Sequence, residues 1–566
     1  MNDMPWLASY PDGMRWDLAI EPAPVQKILD DTVAKWPDRP AVEFMGKRIS
    51  YRELGSLTDR MAKGLQQLGV KPGVHVGIYL PNSPHTVIAF FGILKAGGTV
   101  VNYSPLDAAK VLEHKIEDSQ TDFLVTLDLA ALYPNMAGMF GKTRLKKLIV
   151  GNMGEMTPAP DAVNAQMKAG KQLADVTWDD QHVKFAALLD NDGQYTRYPM
   201  ANPADAIAVL QYTGGTTGWP KGAMLTHANL SAATAQYVES TRGKPPLLEE
   251  GKERFLCVLP PFHIYALTVN MLFGLKMGAE LIQHGRFDPK AALEDIANKK
   301  ITAFCGVPTM FTALIDHPDT PKYNLRTLKY CGSGGAPLPV EVGQRYTEIT
   351  GAPISEGWGM TETSPTGTFS PTGKSKAGSC GIPLPNIVIK LLSLEDPTKY
   401  VALGEKGEMC ISGPNVMKGY WKKPEATAEE MTFDGLFRTG DVAYMDDDGY
   451  VFIVDRCKDM LLCSGFNVYP RVLEEAIYLH PSVGEVCVIG IPDAYRGQSP
   501  KAFVALKAGA QPFTLKELQA FLKDKLGKHE MVQELEIRDA LPKTAVGKLS
   551  KKDLVDEEGR KRAAQA

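Results

Sequence analysis

Residues 212–222 read Tyr-Thr-Gly-Gly-Thr-Thr-Gly-Trp-Pro-Lys-Gly, directly after an apolar run (Ala206, Ile207, Ala208, Val209, Leu210) that reads as a buried strand. The stretch gathers Thr213, Gly214, Gly215, Thr216, Thr217, Gly218 and Lys221 within a few positions. Glycines let backbone N–H groups turn inward around an anion, hydroxyls donate to its oxygens, and a lysine adds a mobile positive charge. Such a loop is a polyphosphate cradle. It is not a P-loop, because G-x-x-x-x-G-K-[ST] is absent. Composition alone leaves a sharp turn equally open, since glycine is a strong turn former.

Outward from this loop the pattern is alternating. Val25, Ile28, Leu29 and Val33 share one helical face; a strand, turn and strand follow at 41–51, then a second amphipathic helix ending at Gly69 and an apolar strand at 74–80. The alternation continues to about residue 380 and predicts a largely parallel sheet with helical crossovers. Asp288-Pro289 fits an N-cap followed by the first helical residue. Residues 150–200 carry little periodicity and read as an irregular surface excursion. From about 381 to 454, short strands between Gly/Pro/Asp turns suggest a small antiparallel barrel. After Asp455 comes a compact α/β unit, with helices at 470–480 and 514–526 and strands at 485–491 and 502–506. The charged tail beyond Lys552 reads as a frayed helix.

The 566 residues exceed one core, so two or more domains are expected. With 44% apolar and 23% charged residues the composition is that of a soluble protein, and a net charge of −4 argues against nucleic acid. Eight cysteines without a CxxC pair indicate reduced thiols and a cytoplasmic setting. The N-terminus lacks the pattern of a secretory signal, and the most apolar stretch, residues 86–101, is too interrupted to span a bilayer.

Four more segments stand in order along the chain: Glu356-Gly357-Trp358-Gly359-Met360-Thr361-Glu362-Thr363; Thr439-Gly440-Asp441; Asp455-Arg456-Cys457-Lys458-Asp459, followed by Ser464-Gly465-Phe466-Asn467; and Pro542-Lys543-Thr544-Ala545-Val546-Gly547-Lys548. With the loop, they resemble the adenylate-forming (ANL) superfamily: acyl-CoA synthetases, firefly luciferases and the adenylation domains of peptide synthetases. Residues 464–470 and 261–267 are most similar to bacterial medium- and long-chain fatty-acid CoA ligases. The resemblance implies an α/β fold, with a large N-terminal domain (1–456) of two α/β subdomains plus the small barrel, and a small mobile C-terminal α/β domain (457–566) hinged at Lys458.

It also implies a reaction in two halves. A carboxylate attacks the α-phosphate of ATP, giving acyl-AMP and pyrophosphate; the thiol of coenzyme A then displaces AMP. In this reading Lys548 bridges carboxylate and α-phosphate, Thr361 donates to that phosphate, and Glu362 holds Mg²⁺, which favours hard oxygen ligands. Trp358 stacks on adenine, although a core aromatic is an equally good account of its residue type. Gly334, Gly335, Glu356 and Gly357 line the nucleotide. Asp441 and Arg456 meet the ribose. Ser464, Gly465 and Phe466 guide coenzyme A, while His263, Tyr265 and Gly359 wall the acyl pocket. A glycine at 359 leaves that pocket open where acetate-specific members carry tryptophan. His263 is read as a wall and not a base, since a carboxylic acid is already ionised at pH 7.

The expected partners are a medium- to long-chain carboxylic acid (mono- or dicarboxylic), ATP and coenzyme A. No nucleic acid and no transmembrane segment are expected, while transient membrane contact and a homodimer stay open. Lys548 is a candidate for regulatory acetylation. The rival readings are loading of a carrier protein, a luciferase-type oxygenase, and a non-catalytic acyl-nucleotide binder. The joint presence of Lys548, Glu362 and Asp441 argues against the last.

Overall fold

The computed structural model describes residues 4–213, 219–336, 338–464, 466–493, 495–544 and 549–563. The chain divides into two compact units, one of Met1–Val388 with Ser412–Glu430, the other of Ile389–Ile411 with Met431–Ala566.

Two seven-stranded sheets organise the first unit. One runs Ile354–Glu356, Tyr330–Ser333, Ala303–Gly306, Arg254–Cys257, Glu280–Gln283, Pro40–Phe44, Lys47–Ser50, parallel except for the last pair. The other runs His182–Lys184, Lys147–Gly151, Thr121–Leu127, His75–Ile78, Thr99–Asn102, Ile207–Tyr212, Gly222–Thr226, again parallel except at its last pair. Central strands such as Ala303–Gly306 are buried throughout, as sheets covered by helices on both faces require.

Local signals place the helices. Helix Tyr51–Gln67 begins at Ser50, whose side chain accepts from Glu53 N while Glu53 reaches back to Ser50 N, and beyond it Gly69 turns the chain at φ +99°. Asp288 caps helix Pro289–Asn298 through a 2.8 Å bond from Ala291 N, with proline at the first helical position. Residues 150–200 are more ordered than their sequence suggests. They hold helix Pro160–Ala169, which buries none of its residues, and then the strand His182–Lys184 that forms the edge of the second sheet. A three-residue strand is too short to show a period.

In the second unit, Val388–Leu392, Gly407–Ser412, Phe437–Met445 and Val451–Arg456 form a four-stranded antiparallel sheet in that order, where the sequence suggested a small barrel. A second sheet centres on the long hairpin Val483–Asp493 and Gly497–Leu506, with Glu534–Arg538 parallel to the latter. The last helix, Lys551–Ala563, is docked rather than frayed. Leu554 is buried beside Phe503 and Leu541, Lys501 reaches Glu558 at 2.8 Å, and Arg562 reaches Glu534 at 2.8 Å. No described helix is long and apolar enough to cross a membrane.

Candidate active site

Tyr212 and Gly222 stand at the open end of a hairpin. Strands Ile207–Tyr212 and Gly222–Thr226 pair antiparallel with Tyr212 opposite Gly222, and Thr213 N donates to Lys221 O at 2.9 Å, closing the loop at its base. Gly214, Gly215, Thr216, Thr217 and Gly218 lie outside the described residues, as do Gly465 and Lys548. At the hairpin's exit Lys221 is described: its ammonium stands 4.2 Å from the centroid of the Tyr420 ring and 3.5 Å from the Glu430 carboxylate.

The segment 356–366 lies at the end of the first sheet. Strand Ile354–Glu356 pairs with Tyr330–Ser333, and Gly357 N continues the contact by donating to Ser333 O at 3.1 Å. The Glu356 carboxylate accepts from Leu338 N at 3.2 Å. Trp358 N donates to Thr368 Oγ1 at 3.1 Å, and its ring covers Gly367 so closely that a Cβ there would collide with it. Thr361 is half-buried; Glu362 is only 6% exposed. Gly334 N donates to Gly306 O at 3.3 Å, and Gly335 turns at φ +81°.

The geometry joins several segments that the sequence could only name apart. Tyr265 lies against the glycine loop, its Cζ 3.1 Å from where a Cβ on Gly334 would sit. Gln211, on the first strand of the 207–226 hairpin, donates to Phe262 O at 2.7 Å. His263 Nδ1 accepts from Tyr265 N at 3.2 Å. Burial drives the Tyr265 phenol far above its ordinary range, the mark of a dry surrounding. It packs with Leu259, Ala266, Val307 and Met310.

Gly359 differs from expectation. A Cβ there would fall inside the Pro365 carbonyl oxygen, so the position is glycine because backbone occupies that direction, not because it opens a pocket.

Sequence reasoning missed the segment 413–421. Met417 N donates to Glu362 O at 2.7 Å, and the buried Asn415 amide donates to Thr363 O and Thr366 O at 2.8 and 2.7 Å. The Tyr420 hydroxyl donates to Glu362 Oε1 at 2.8 Å. The same segment pairs with the outgoing strand of the 207–226 hairpin, through Met224 N to Gly419 O at 2.8 Å and Trp421 N to Gly222 O at 2.8 Å. Burial, reinforced by the Glu362 carboxylate, raises the Tyr420 phenol well above its ordinary range, so it stays a donor. The only trace in the sequence was Gly419-Tyr420-Trp421, two aromatics after a glycine.

Within the second unit, Asp441 and Arg456 are cross-strand neighbours, with Arg456 Nε 2.9 Å from a carboxylate oxygen of Asp441, which is 3% exposed. Lys458 follows in a turn; burial and the Arg456 guanidinium hold its ammonium below its ordinary value. Ser464, exposed at φ +54°, donates its N–H to Arg496 O at 2.8 Å. Phe466 is 58% exposed, its ring tilted against His529 with centroids 5.0 Å apart. Lys551 lies 3.2 Å from Glu474 and 3.9 Å from Asp455, tying the start of the last helix to the strand that carries Arg456.

Residues 29–421 match the model of the AMP-binding enzyme family, and residues 472–548 that of the AMP-binding enzyme C-terminal domain. The chain belongs to the AMP-binding enzyme family. It is similar to the long-chain-fatty-acid–CoA ligase of Bacillus subtilis (strain 168), at 40% identity over 98% of both chains. Among solved structures it resembles ATP-bound MatB from Rhodopseudomonas palustris, with TM-score 0.81 and 27% identity over 94% of this chain and 99% of that one. It also resembles the Bacillus subtilis o-succinylbenzoate coenzyme A synthetase in complex with ATP and magnesium, with TM-score 0.75 and 25% identity over 93% and 98%. The first AMP-binding span contains the 207–226 hairpin, the 356–366 turn and Tyr420; the second ends on Lys548. Asp441, Arg456, Lys458 and residues 464–466 fall in the interval between the two.

Proposed function

We propose that this AMP-binding enzyme is a carboxylic acid–CoA ligase that activates a medium- to long-chain acid as acyl-AMP and transfers it to coenzyme A. The observation that carries the reading is Glu362 and Lys221 held by one tyrosine, the first at its hydroxyl and the second over its ring, beside the 212–222 hairpin. The full-length similarity to proteins named long-chain-fatty-acid–CoA ligases supports the substrate class. So does the apolar packing of Tyr265 with Leu259, Ala266, Val307 and Met310.

The residues fit a magnesium ion. Among the described residues no group of three His, Cys, Asp or Glu could hold a metal, whereas Mg²⁺ typically takes one or two carboxylates and completes its shell with phosphates and water. Glu362, a hard-oxygen donor fixed by Tyr420, would hold it. When bound, the ion neutralises phosphate charge.

The protein's own groups do the rest. Lys221 and the hairpin's N–H groups and hydroxyls bind the polyphosphate. Thr361 donates to the α-phosphate, and Trp358 and the 334–335 backbone orient the adenosine. Asp441 and Arg456 set the ribose. Lys548 brings positive charge where two anions meet: the carboxylate oxygen bonds to the α-phosphorus and the bond to pyrophosphate breaks. In the second half the thiol of coenzyme A attacks the acyl carbonyl, its proton passes to solvent, and the bond to AMP breaks. The segment 464–466 guides that thiol. Residue 458 is the hinge by which the domain 457–566 serves both halves in turn. No general base is needed in the first half, which fits His263 as a wall whose Nδ1 is already an acceptor.

The test is pyrophosphate release from a panel of saturated and dicarboxylic acids of increasing length, with coenzyme A and with a phosphopantetheinylated carrier protein as acceptors. A thioester formed on coenzyme A with the longer monocarboxylic acids is expected. Turnover confined to short acids, or transfer only to the carrier protein, would overturn it.

A further inference from the structure

Tyr420 lies 58 residues after Glu362 and 199 after Lys221, yet it touches both. Its hydroxyl donates to one carboxylate oxygen of Glu362, and its ring face carries the Lys221 ammonium at 4.2 Å. The backbone around it makes the same connection. On one side, residues 419 and 421 bond the hairpin's outgoing strand at Met224 and Gly222; on the other, Met417 N and the Asn415 amide bond the carbonyls of Glu362, Thr363 and Thr366. Asn415 is itself fully buried and accepts from Gln236, whose amide oxygen accepts from Thr366 Oγ1. Residues 413–421 are thus a strap with one edge on the phosphate hairpin and the other on the turn that carries Glu362.

We propose that Tyr420 is a positioning residue that registers the phosphate-binding lysine, Lys221, with the cation-binding carboxylate, Glu362, so that a nucleoside triphosphate and its divalent cation are received as one unit. The proposal rests on the assignment of this site to magnesium–ATP.

The physical case is one of pre-organisation. A glutamate has three side-chain torsions and a lysine four, and an untethered pair meets its ligand only after losing that freedom. A hydrogen bond to a carboxylate restricts the plane in which the carboxylate presents its oxygens. A ring face attracts an ammonium electrostatically without withdrawing its protons from other acceptors, so Lys221 is held yet can still donate. Glu430, 3.5 Å from the ammonium, already competes with phosphate for the lysine, and a carboxylate in the place of Tyr420 would add to that competition. A tyrosine does not.

Two substitutions separate the parts of the role. Tyr420→Phe removes the hydroxyl and keeps the ring; Tyr420→Leu removes both. Equilibrium binding of ATP to the full-length chain is measured by calorimetry with Mg²⁺ and with EDTA. In Tyr420→Phe, affinity in EDTA stays within twofold of the parent, while the tightening brought by Mg²⁺ falls about tenfold, the scale of one hydrogen bond to a charged group. In Tyr420→Leu the affinity in EDTA falls as well, because Lys221 loses its platform. Unfolding midpoints of the variants identify any general loss of structure, which would weaken binding equally in both conditions. A parent that binds ATP no tighter with Mg²⁺ would overturn the assignment of the site and this role with it. A parent that does so, with a Tyr420→Phe variant indistinguishable from it or equally weakened in both conditions, would overturn the role of Tyr420 alone.

Discussion

Acidification should destabilise the first unit through one histidine beside the 207–226 hairpin. His227 opens helix His227–Ser240 directly after the hairpin's outgoing strand and is 4% exposed. Its Nδ1 accepts from Val25 N at 3.1 Å, a bond that requires the ring to lack a proton there. Burial lowers its pKa from the ordinary 6.5 to about 4, and a helix N-terminus is an unfavourable place for a cation. Because the folded value lies below the unfolded one, the unfolded chain binds more protons between pH 6.5 and 4. The stabilisation is therefore complete above the unfolded value and is lost as pH falls toward the folded one. With these two values, lowering the pH from 7.5 to 5.0 removes about 2 kcal/mol, and acidification below pH 4 removes about 3 kcal/mol in all. For a unit of roughly 400 residues, 2 kcal/mol corresponds to about 2 °C in the unfolding midpoint. The assay is thermal unfolding of the parent and of His227→Gln, whose amide oxygen can accept from Val25 N but does not titrate. Other titrating groups are common to both proteins and cancel in the difference. The parent's midpoint should fall about 2 °C more than the variant's between pH 7.5 and 5.0. Midpoints that fall in parallel would refute the reasoning.

Asn415→Ala strands the carbonyl of Thr366 in a buried setting, whereas Thr363 O keeps the Thr366 N–H at 2.8 Å, and should cost about 1–3 kcal/mol for the one group left unpaired, read as a lower denaturant midpoint; an unchanged midpoint would mean the turn finds another donor. Gly359→Ala must displace the Pro365 backbone, so adenylation should fall for acids of every length alike; a shift of preference toward short acids would restore residue 359 as a pocket wall. Lys548→Ala should nearly abolish adenylation while sparing thioester formation from synthetic acyl-AMP, and equal loss in both halves would remove Lys548 from the first. Lys458→Pro, by fixing φ near −65°, should let acyl-AMP accumulate with thioester formation slowed far more; turnover at the parental rate would show that nothing swings about this residue.

What the sequence disclosed was what can be written in a few consecutive positions. The Asp288-Pro289 cap and the stop at Gly69 each draw their meaning from backbone torsions and hydrogen bonds within one turn, so their residue types alone carry it. The resemblance extended this to separated segments, but only as names in order. Contacts made across the fold were silent. Nothing local distinguishes Tyr420 from any aromatic after a glycine, because its role exists only when Met224 and Gly222 on one side and Glu362 on the other come within bonding distance. The tail helix read as frayed for a similar reason: Lys501, Glu534 and Glu536 stand as ordinary surface charges in sequence, and only the folding of Glu534–Arg538 beside Gly497–Leu506 turns them into partners for Glu558, Arg562 and Lys561 of the last helix. Gly359 makes the point in reverse. Read from the chain, a missing side chain meant open space, whereas in the fold the space is filled by the Pro365 carbonyl. A glycine reports that a side chain would be unwelcome, and only the surroundings say whether a ligand or the protein's own backbone is the reason.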